Sequence, residues 1–264
     1  MNDLYQEYLN ILKVQVRAPD FQYLNDLITA HLQHIPFENI SKIYYKNKFG
    51  TADIPGFQEY LERVTTNNFG GTCYTLNYYF NQLLNHLGFN AILCSADMNN
   101  PDVHLVNIVK LSDREYLVDV GYAAPFFEPL PLDLNTAYEI SYGFEKYVAL
   151  PKDSSGYNQV QQFRYGLLRH FYIVKPYPRS ISDFSHVINA SFDPLAAFMN
   201  SILITKFERN HSIIINNFSL IEIHSRIPDK KLLFDKDELI YKIVELFKIP
   251  DEIVTQVVRS TVIS

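Results

Sequence analysis

The sequence predicts an α+β protein that begins helical, turns strand-rich in its middle and ends in mixed α and β. Three observations carry this. Apolar residues recur at three- and four-residue steps in "PDFQYLNDLITAHLQHIP" and again after Cys73; the period shortens to β-like runs from Phe89; helical and hairpin patterns alternate in the last third. With 264 residues, 47% hydrophobic and 20% charged, the composition is that of a folded chain able to bury a substantial core.

In the first helical segment Phe21, Leu24, Leu27, Ile28, Leu32 and Ile35 fall on one face, with Asp20 placed to cap and Pro36 to stop the helix. In the segment that follows Cys73, Leu76, Phe80, Leu83, Leu84 and Leu87 share a face and Gly88 takes the C-terminal cap. The runs "FNAILCSADM", "VHLVNIVKL" and "EYLVDVGYAA" read as strands, continued in "FRYGLLRHFYIVKPYP" after a polar "PKDSSGYNQVQQ" that reads as a loop. In the last third, "DPLAAFMNSILITKF" reads as a helix, "HSIIINNFSLIEIH" as a hairpin turning at Asn216-Asn217, and "DKDELIYKIVELFKI" as a capped helix.

A net charge of -6 and the lack of a dense Lys/Arg block argue against nucleic acid or an anionic membrane as partner. Two cysteines make no disulfide framework, and no CxxC or Cys/His zinc spacing is present, so no metal is expected. The polar N-terminal "MNDLYQEYLNILKV" lacks the features of a signal peptide, and no apolar run has the length of a membrane helix. A cytoplasmic location is expected.

The stretch "NNFGGTCYTLNYYF" places Cys73 after paired glycines and at the start of a helix. Unpaired N–H groups and the helix dipole favour a thiolate there, and Gly70-Gly71 is expected to let a substrate approach the sulfur. The competing reading is a buried filler after a turn. A cysteine nucleophile needs a base and the base an orienting acid. His104 opens one predicted strand and Asp119 lies in the next. An even-numbered loop between them puts both on one sheet face, as direct or diagonal neighbours, whereas a three-residue loop without a bulge separates them. His86 lies thirteen residues along the Cys73 helix, roughly 20 Å away. His31, His34, His170, His186, His211 and His224 have no comparable acid in a paired strand, and Cys94 reads as strand core.

These residues resemble the arylamine N-acetyltransferase family. "FGGTCYTLN" is similar to that family's RGG-x-C-[FY]-E-[LVQ]-N block, "HLVNIV" to its histidine strand, "YLVDVGY" to its DVGFG strand, and "IPFENI" to its PFEN motif; "NASFDPLAAF" echoes a weaker fifth block. The resemblance implies a Cys73, His104, Asp119 triad arranged as in papain-like proteases and transglutaminases. It also implies a helical domain at 1–88, a β-barrel-like domain at 89–185 and an α/β lid at 186–264. The activity implied is ping-pong transfer of acetyl from acetyl-CoA, a substrate and not a bound cofactor, to aromatic amines or hydrazines. Phe37, Met98, Val103 and Tyr122 are the implied substrate contacts.

Four positions depart from the family pattern: Phe69 stands for Arg, Thr75 for Glu, Val103 for Thr and Ala123 for the last Gly. Without that Arg, Glu38 needs another partner or more solvent. Val103 and Ala123 alter the mouth of the implied site. A thiol hydrolase or transglutaminase-like enzyme with the same triad, and a homologue that lost efficient transfer, are the alternative readings.

Overall fold

The computed structural model describes residues 2–225 and 227–263. Helices α1 (Asn2–Leu12), α2 (Phe21–His34), α3 (Ile40–Phe49), α4 (Phe57–Asn67) and α5 (Cys73–His86) occupy the first part of the chain, interrupted by the two-residue strand β1 (Phe37–Glu38). Strands β2 (Asn90–Asp97), β3 (His104–Leu111), β4 (Arg114–Val118), β5 (Leu130–Pro131), β6 (Tyr138–Tyr142), β7 (Glu145–Ala149), β8 (Asn158–Arg164) and β9 (Leu167–Lys175) follow. The remainder carries α6 (Ser185–Ala190), β10 (Leu203–Lys206), β11 (His211–Asn216), β12 (Ser219–His224), β13 (Ile227–Leu232), α7 (Lys236–Phe247) and α8 (Asp251–Ser260). The fold is α+β.

Local chemistry sets the helix ends. Asp20 accepts from the Tyr23 amide at 2.6 Å to cap α2, and Ile35, forced extended by Pro36, ends it. The α2 face of Leu24, Leu27, Ile28 and Leu32 packs with Phe80, Leu83 and Leu84 of α5 and with α1 and α4 into one apolar core. Phe21, expected on that face, is 45% exposed and meets Tyr116 instead. Gly88 takes a φ of 88° where the chain leaves α5.

Eight antiparallel strands form one sheet in the order β5-β4-β3-β2-β9-β8-β7-β6. Cys94, Val106, Leu117, Tyr147, Val160 and Tyr172, from six of these strands, share a single interior, so the sheet curls around its own core like a barrel. Helix α5 packs across β2 and β3. The polar segment expected as a loop yields a strand at its end, because Asn158–Arg164 pairs with both β7 and β9.

The second sheet runs β1-β10-β11-β12-β13, and its apolar face meets α3, α7 and α8 through Ile43, Ile204, Ile215, Leu239, Ile243 and Val257. Two sequence expectations change here. Residues 193–207 are not a helix: only Ala197–Met199 makes a 3-10 turn, and Leu203–Lys206 is a strand. Ile204 pairs with Glu38 on one side and Ile215 on the other, so long-range pairing of β-branched residues overrides the local helical period. The hairpin turns at Asn217-Phe218, one residue later than expected, since Asn216 pairs with Ser219 and Asn217 adopts a φ of 52°.

Candidate active site

Cys73 is the first residue of α5 and is buried, while His104 opens β3. The β3–β4 loop has two residues, Ser112 and Asp113, both at positive φ (48° and 63°), which fixes the pairing of Leu111 with Arg114 and of Asn107 with Val118. Continuing that register sets Asp119 opposite Val106 and therefore diagonal to His104 on the same face. The even-loop condition is met. His104 Nε2 lies 2.7 Å from Asp119 Oδ2. The Cys73 side chain also acts on the imidazole, favouring its protonated form.

Asp119 is held by more than the imidazole. Its Oδ2 also accepts from the Tyr172 hydroxyl at 3.0 Å, and its Oδ1 from the Asn77 side chain at 2.8 Å and the Gly121 amide at 3.0 Å. Asn77 stands one turn after Cys73 on α5. The same amide donates to Leu105 O at 2.6 Å while its oxygen accepts from the Val120 amide at 3.0 Å, so one side chain ties the nucleophile's helix to both strands. Gly121 is required by proximity: a Cβ there would lie 2.7 Å from both Cys73 Cα and Asn77 Nδ2. Burial alone pushes the His104 imidazole down, but the Asp119 carboxylate, its hydrogen bond and the Cys73 contact outweigh this and hold it up at about 10.

The paired glycines serve packing. A Cβ on Gly70 would sit 1.8 Å from the Pro36 carbonyl oxygen, and Gly71, at a φ of 97°, donates its amide to Glu38 Oε1 at 2.8 Å. The expectation that they open a path to the sulfur is therefore replaced by close contact with the 36–38 segment. Glu38 finds its partners there: Ser41 donates through its amide at 2.7 Å and its hydroxyl at 2.6 Å. Burial nonetheless raises its carboxyl above the usual range, with those hydrogen bonds opposing the rise. Phe69, 1% exposed, fills apolar space beside Tyr44 and Tyr45. Ala123 adopts a φ of 59°, the left-handed region that explains the family's glycine there.

Cys73 opens into a cavity of about 530 Å³. Of the four implied substrate contacts, Met98 and Val103 line it; Phe37 and Tyr122 do not. Phe37 packs edge-on against Phe198, which does line it, and the Tyr122 hydroxyl lies 2.7 Å from Nδ1 of His170, another wall residue. Phe198 and His170, both from later segments, line the cavity beside them. Sequence reasoning missed His170, Lys42 and Ser191 as cavity residues: His170 belongs to no quoted motif, Lys42 lies just beyond "IPFENI", and Ser191 stands in the weak "NASFDPLAAF" echo with no signal of its own. Tyr172 and Asn77 were missed as partners of Asp119; Asn77 stood inside the quoted block with only its spacing as a signal.

Among the described residues, one group of side chains could offer three metal ligands: His211, Glu222 and His224, with ligand atoms within 4.8 Å of one another. The two imidazoles stack at 4.5 Å with planes 11° apart, so their in-plane lone pairs run side by side and do not converge.

A family model described as N-acetyltransferase matches residues 20–254. The chain belongs to the N-acetyltransferase family. Among curated relatives, proansamycin X synthase of Amycolatopsis mediterranei (strain S699) is 28% identical over 145 residues, covering 52% of this chain and 54% of that protein. N-malonyltransferase FDB2 of Fusarium pseudograminearum (strain CS3096) is 24% identical over 180 residues, 56% of this chain and 50% of that one. The chain thus spans about half the length of these N-acetyltransferase-family relatives. The arylamine N-acetyltransferase of Salmonella typhimurium superposes with a TM-score of 0.82 at 19% identity, over 98% of this chain and 99% of that one. The Mycobacterium marinum arylamine N-acetyltransferase in complex with CoA gives 0.81 at 19%, over 96% and 98%. These likenesses establish the N-acetyltransferase fold for the whole chain.

Proposed function

We propose that this chain is an acetyl-CoA-dependent N-acetyltransferase for aromatic amines and hydrazines, working by a ping-pong route through an acetyl-cysteine. The observation that carries the reading is His104 set between Asp119 and Cys73 at the edge of a cavity large enough for a ring. His104, held protonated beside Asp119, already carries the proton it shares with the Cys73 side chain, and the sulfur attacks the thioester carbonyl. The tetrahedral intermediate expels the CoA thiolate, which leaves with that proton. The amine nitrogen then attacks the acetyl-cysteine, His104 accepts its proton, and collapse releases the amide and returns Cys73 to its starting form. Asp119 stays ionised and fixes the imidazole tautomer. Thr72 places no side-chain cap on α5, leaving first-turn amides for the developing oxyanion.

Met98 and Val103 contact the substrate directly in this reading, with Phe37 and Tyr122 acting through Phe198 and His170. The three-unit division at 1–88, 89–185 and 186–264 is kept as part of it, with the last unit as a lid. Both cysteines are free, in keeping with a reducing, cytoplasmic setting, and among the described residues no helix is long and apolar enough to cross a membrane. The test is direct: incubate with acetyl-CoA and measure intact mass and free thiol, then add an arylamine. One acetyl group on Cys73 that the amine discharges is the expected result. Thiol release without amide would point to a hydrolase, and no adduct under any acyl-CoA would overturn enzymic acyl transfer.

A further inference from the structure

Lys42 is a charged side chain in an apolar place. It lies in the first turn of α3 and is 8% exposed. A buried ammonium is costly unless an opposite charge meets it. Its Nζ instead donates to Ser191 Oγ at 2.5 Å and sits 3.8 Å from the centre of the Phe192 ring. Ser191 donates its own proton onward to Ile188 O at 2.6 Å, so the hydroxyl can only accept from Lys42 and fixes where the ammonium points. Neither neighbour carries a charge, and Lys42 shares its cavity with Cys73. Burial pushes the ammonium down to about 8, with Cys73 opposing, which leaves it largely protonated near neutral pH.

The cavity that holds Cys73 is lined by Lys42, Ser191, His170 and His186, and by no Asp or Glu. In a chain of net charge -6, the wall around Cys73 carries Lys42 and two histidines and no carboxylate. The Lys42 ammonium has three N–H donors and one is taken by Ser191. What the pocket lacks is an anion, and a substrate can bring one.

We propose that Lys42 receives a carboxylate at the far end of the acyl chain, so that the preferred donors are thioesters of short dicarboxylic acids such as malonyl- or succinyl-CoA. The acyl chain is favoured over the amine as the source of that carboxylate because it is bonded to the Cys73 sulfur, which shares the cavity wall with Lys42. The inference rests on the acyl-transfer reading above and departs from it only in the preferred acyl group. The chemistry is unchanged: the carboxylate is bound, not transformed.

The test compares acetyl-, malonyl- and succinyl-CoA with one neutral arylamine, and acetyl-CoA with aniline and an aminobenzoate, in wild type and Lys42→Met. The readout is the ratio of kcat/KM between donors within each preparation, which cancels any unfolded fraction. Wild type is expected to favour a carboxylated donor, and Lys42→Met to lower the malonyl-to-acetyl or succinyl-to-acetyl ratio by about ten- to a hundredfold. Lys42→Arg should keep most of the preference. An equal loss on every donor would mean that Lys42 supports the thiol, the oxyanion or the CoA phosphates, and would overturn the proposal. A loss confined to the aminobenzoate would overturn it by moving the carboxylate to the amine. If no thioester acylates Cys73 in wild type, acyl transfer itself fails; acylation by all donors at unchanged ratios in both proteins defeats only the Lys42 inference.

Discussion

The Asn77 side chain, one helical turn beyond Cys73, donates to Asp119 Oδ1 at 2.8 Å and accepts the Val120 amide at 3.0 Å. The Asp119 carboxylate is thus aimed by the helix that carries Cys73. Asn77→Ala should leave the Val120 amide and Leu105 carbonyl without this partner and cost about 2–4 kcal/mol of stability. Chemical denaturation checks this, and acylation should slow far more than the fraction unfolded explains. A variant as stable and active as wild type would remove Asn77 from the network.

Cys73→Ala should abolish the acyl-enzyme while near-native melting is kept. Asp119→Asn should retain the fold but lose about three to four orders of magnitude in kcat, because the imidazole is then held in the wrong tautomer. Tyr172→Phe removes the 3.0 Å donor to the same carboxylate and should cost far less than Asp119→Asn. Single-turnover acylation with acetyl-CoA ranks the three, and a near-normal rate in Asp119→Asn would refute the assigned orientation of His104.

Gly121→Ala would push a methyl to 2.7 Å from Cys73 Cα. That contact is with backbone, so strand end or helix must move. The expected result is a loss of about 1–3 kcal/mol and poor acylation. Gly56→Ala, where nothing lies within 4 Å, is the matched control and should be close to neutral. Equal tolerance at both positions would contradict the packing described.

Two buried histidines pull stability in opposite pH directions. Burial and then His34 hold His31 down at about 3 in the fold, and neither of its ring nitrogens has a hydrogen-bond partner among the described residues. Its unfolded value is about 6.5, so the unfolded chain binds more protons below that pH and stability falls as pH drops from about 6.5 toward 3. The slope contributed by this one group approaches about 1.4 kcal/mol per pH unit. His31→Leu should flatten the acid limb in a pH series of denaturation midpoints. His104, held up at about 10, acts the other way: its contribution is complete below about 6.5 and is lost as pH rises through about 10. An acid limb unchanged by His31→Leu would show that other groups dominate it.

Helix α2, helix α5 and the three strands through 118 were legible because short-range period and end caps set them. The pairing of His104 with Asp119 was legible because one two-residue turn fixes their faces. The rest depends on contacts that no local pattern encodes. Leu203–Lys206 becomes a strand because β1 and β11 flank it, and Phe37, off the cavity wall, packs against Phe198, far along the chain. Glu38 shows both sides: the sequence demanded a substitute for the missing arginine, but hydrogen bonds from Ser41 and Gly71 were visible only in three dimensions. Lys42 and Ser191 meet across 149 positions, which no motif spans.

The two-residue strand β1 has a bearing on when the thiol becomes reactive during synthesis. Glu38 pairs with Ile204, and the Asn39 side chain donates to Phe198 O at 2.8 Å and to Ser201 O at 2.6 Å while accepting from the Leu203 amide at 2.9 Å. Glu38 in turn holds Gly71, two residues before Cys73. The support beneath the nucleophile is therefore anchored in residues that leave the ribosome well over a hundred positions after it. A nascent chain can own its cysteine, histidine and aspartate and still lack the clamp beneath Cys73 until residues 198–204 have emerged.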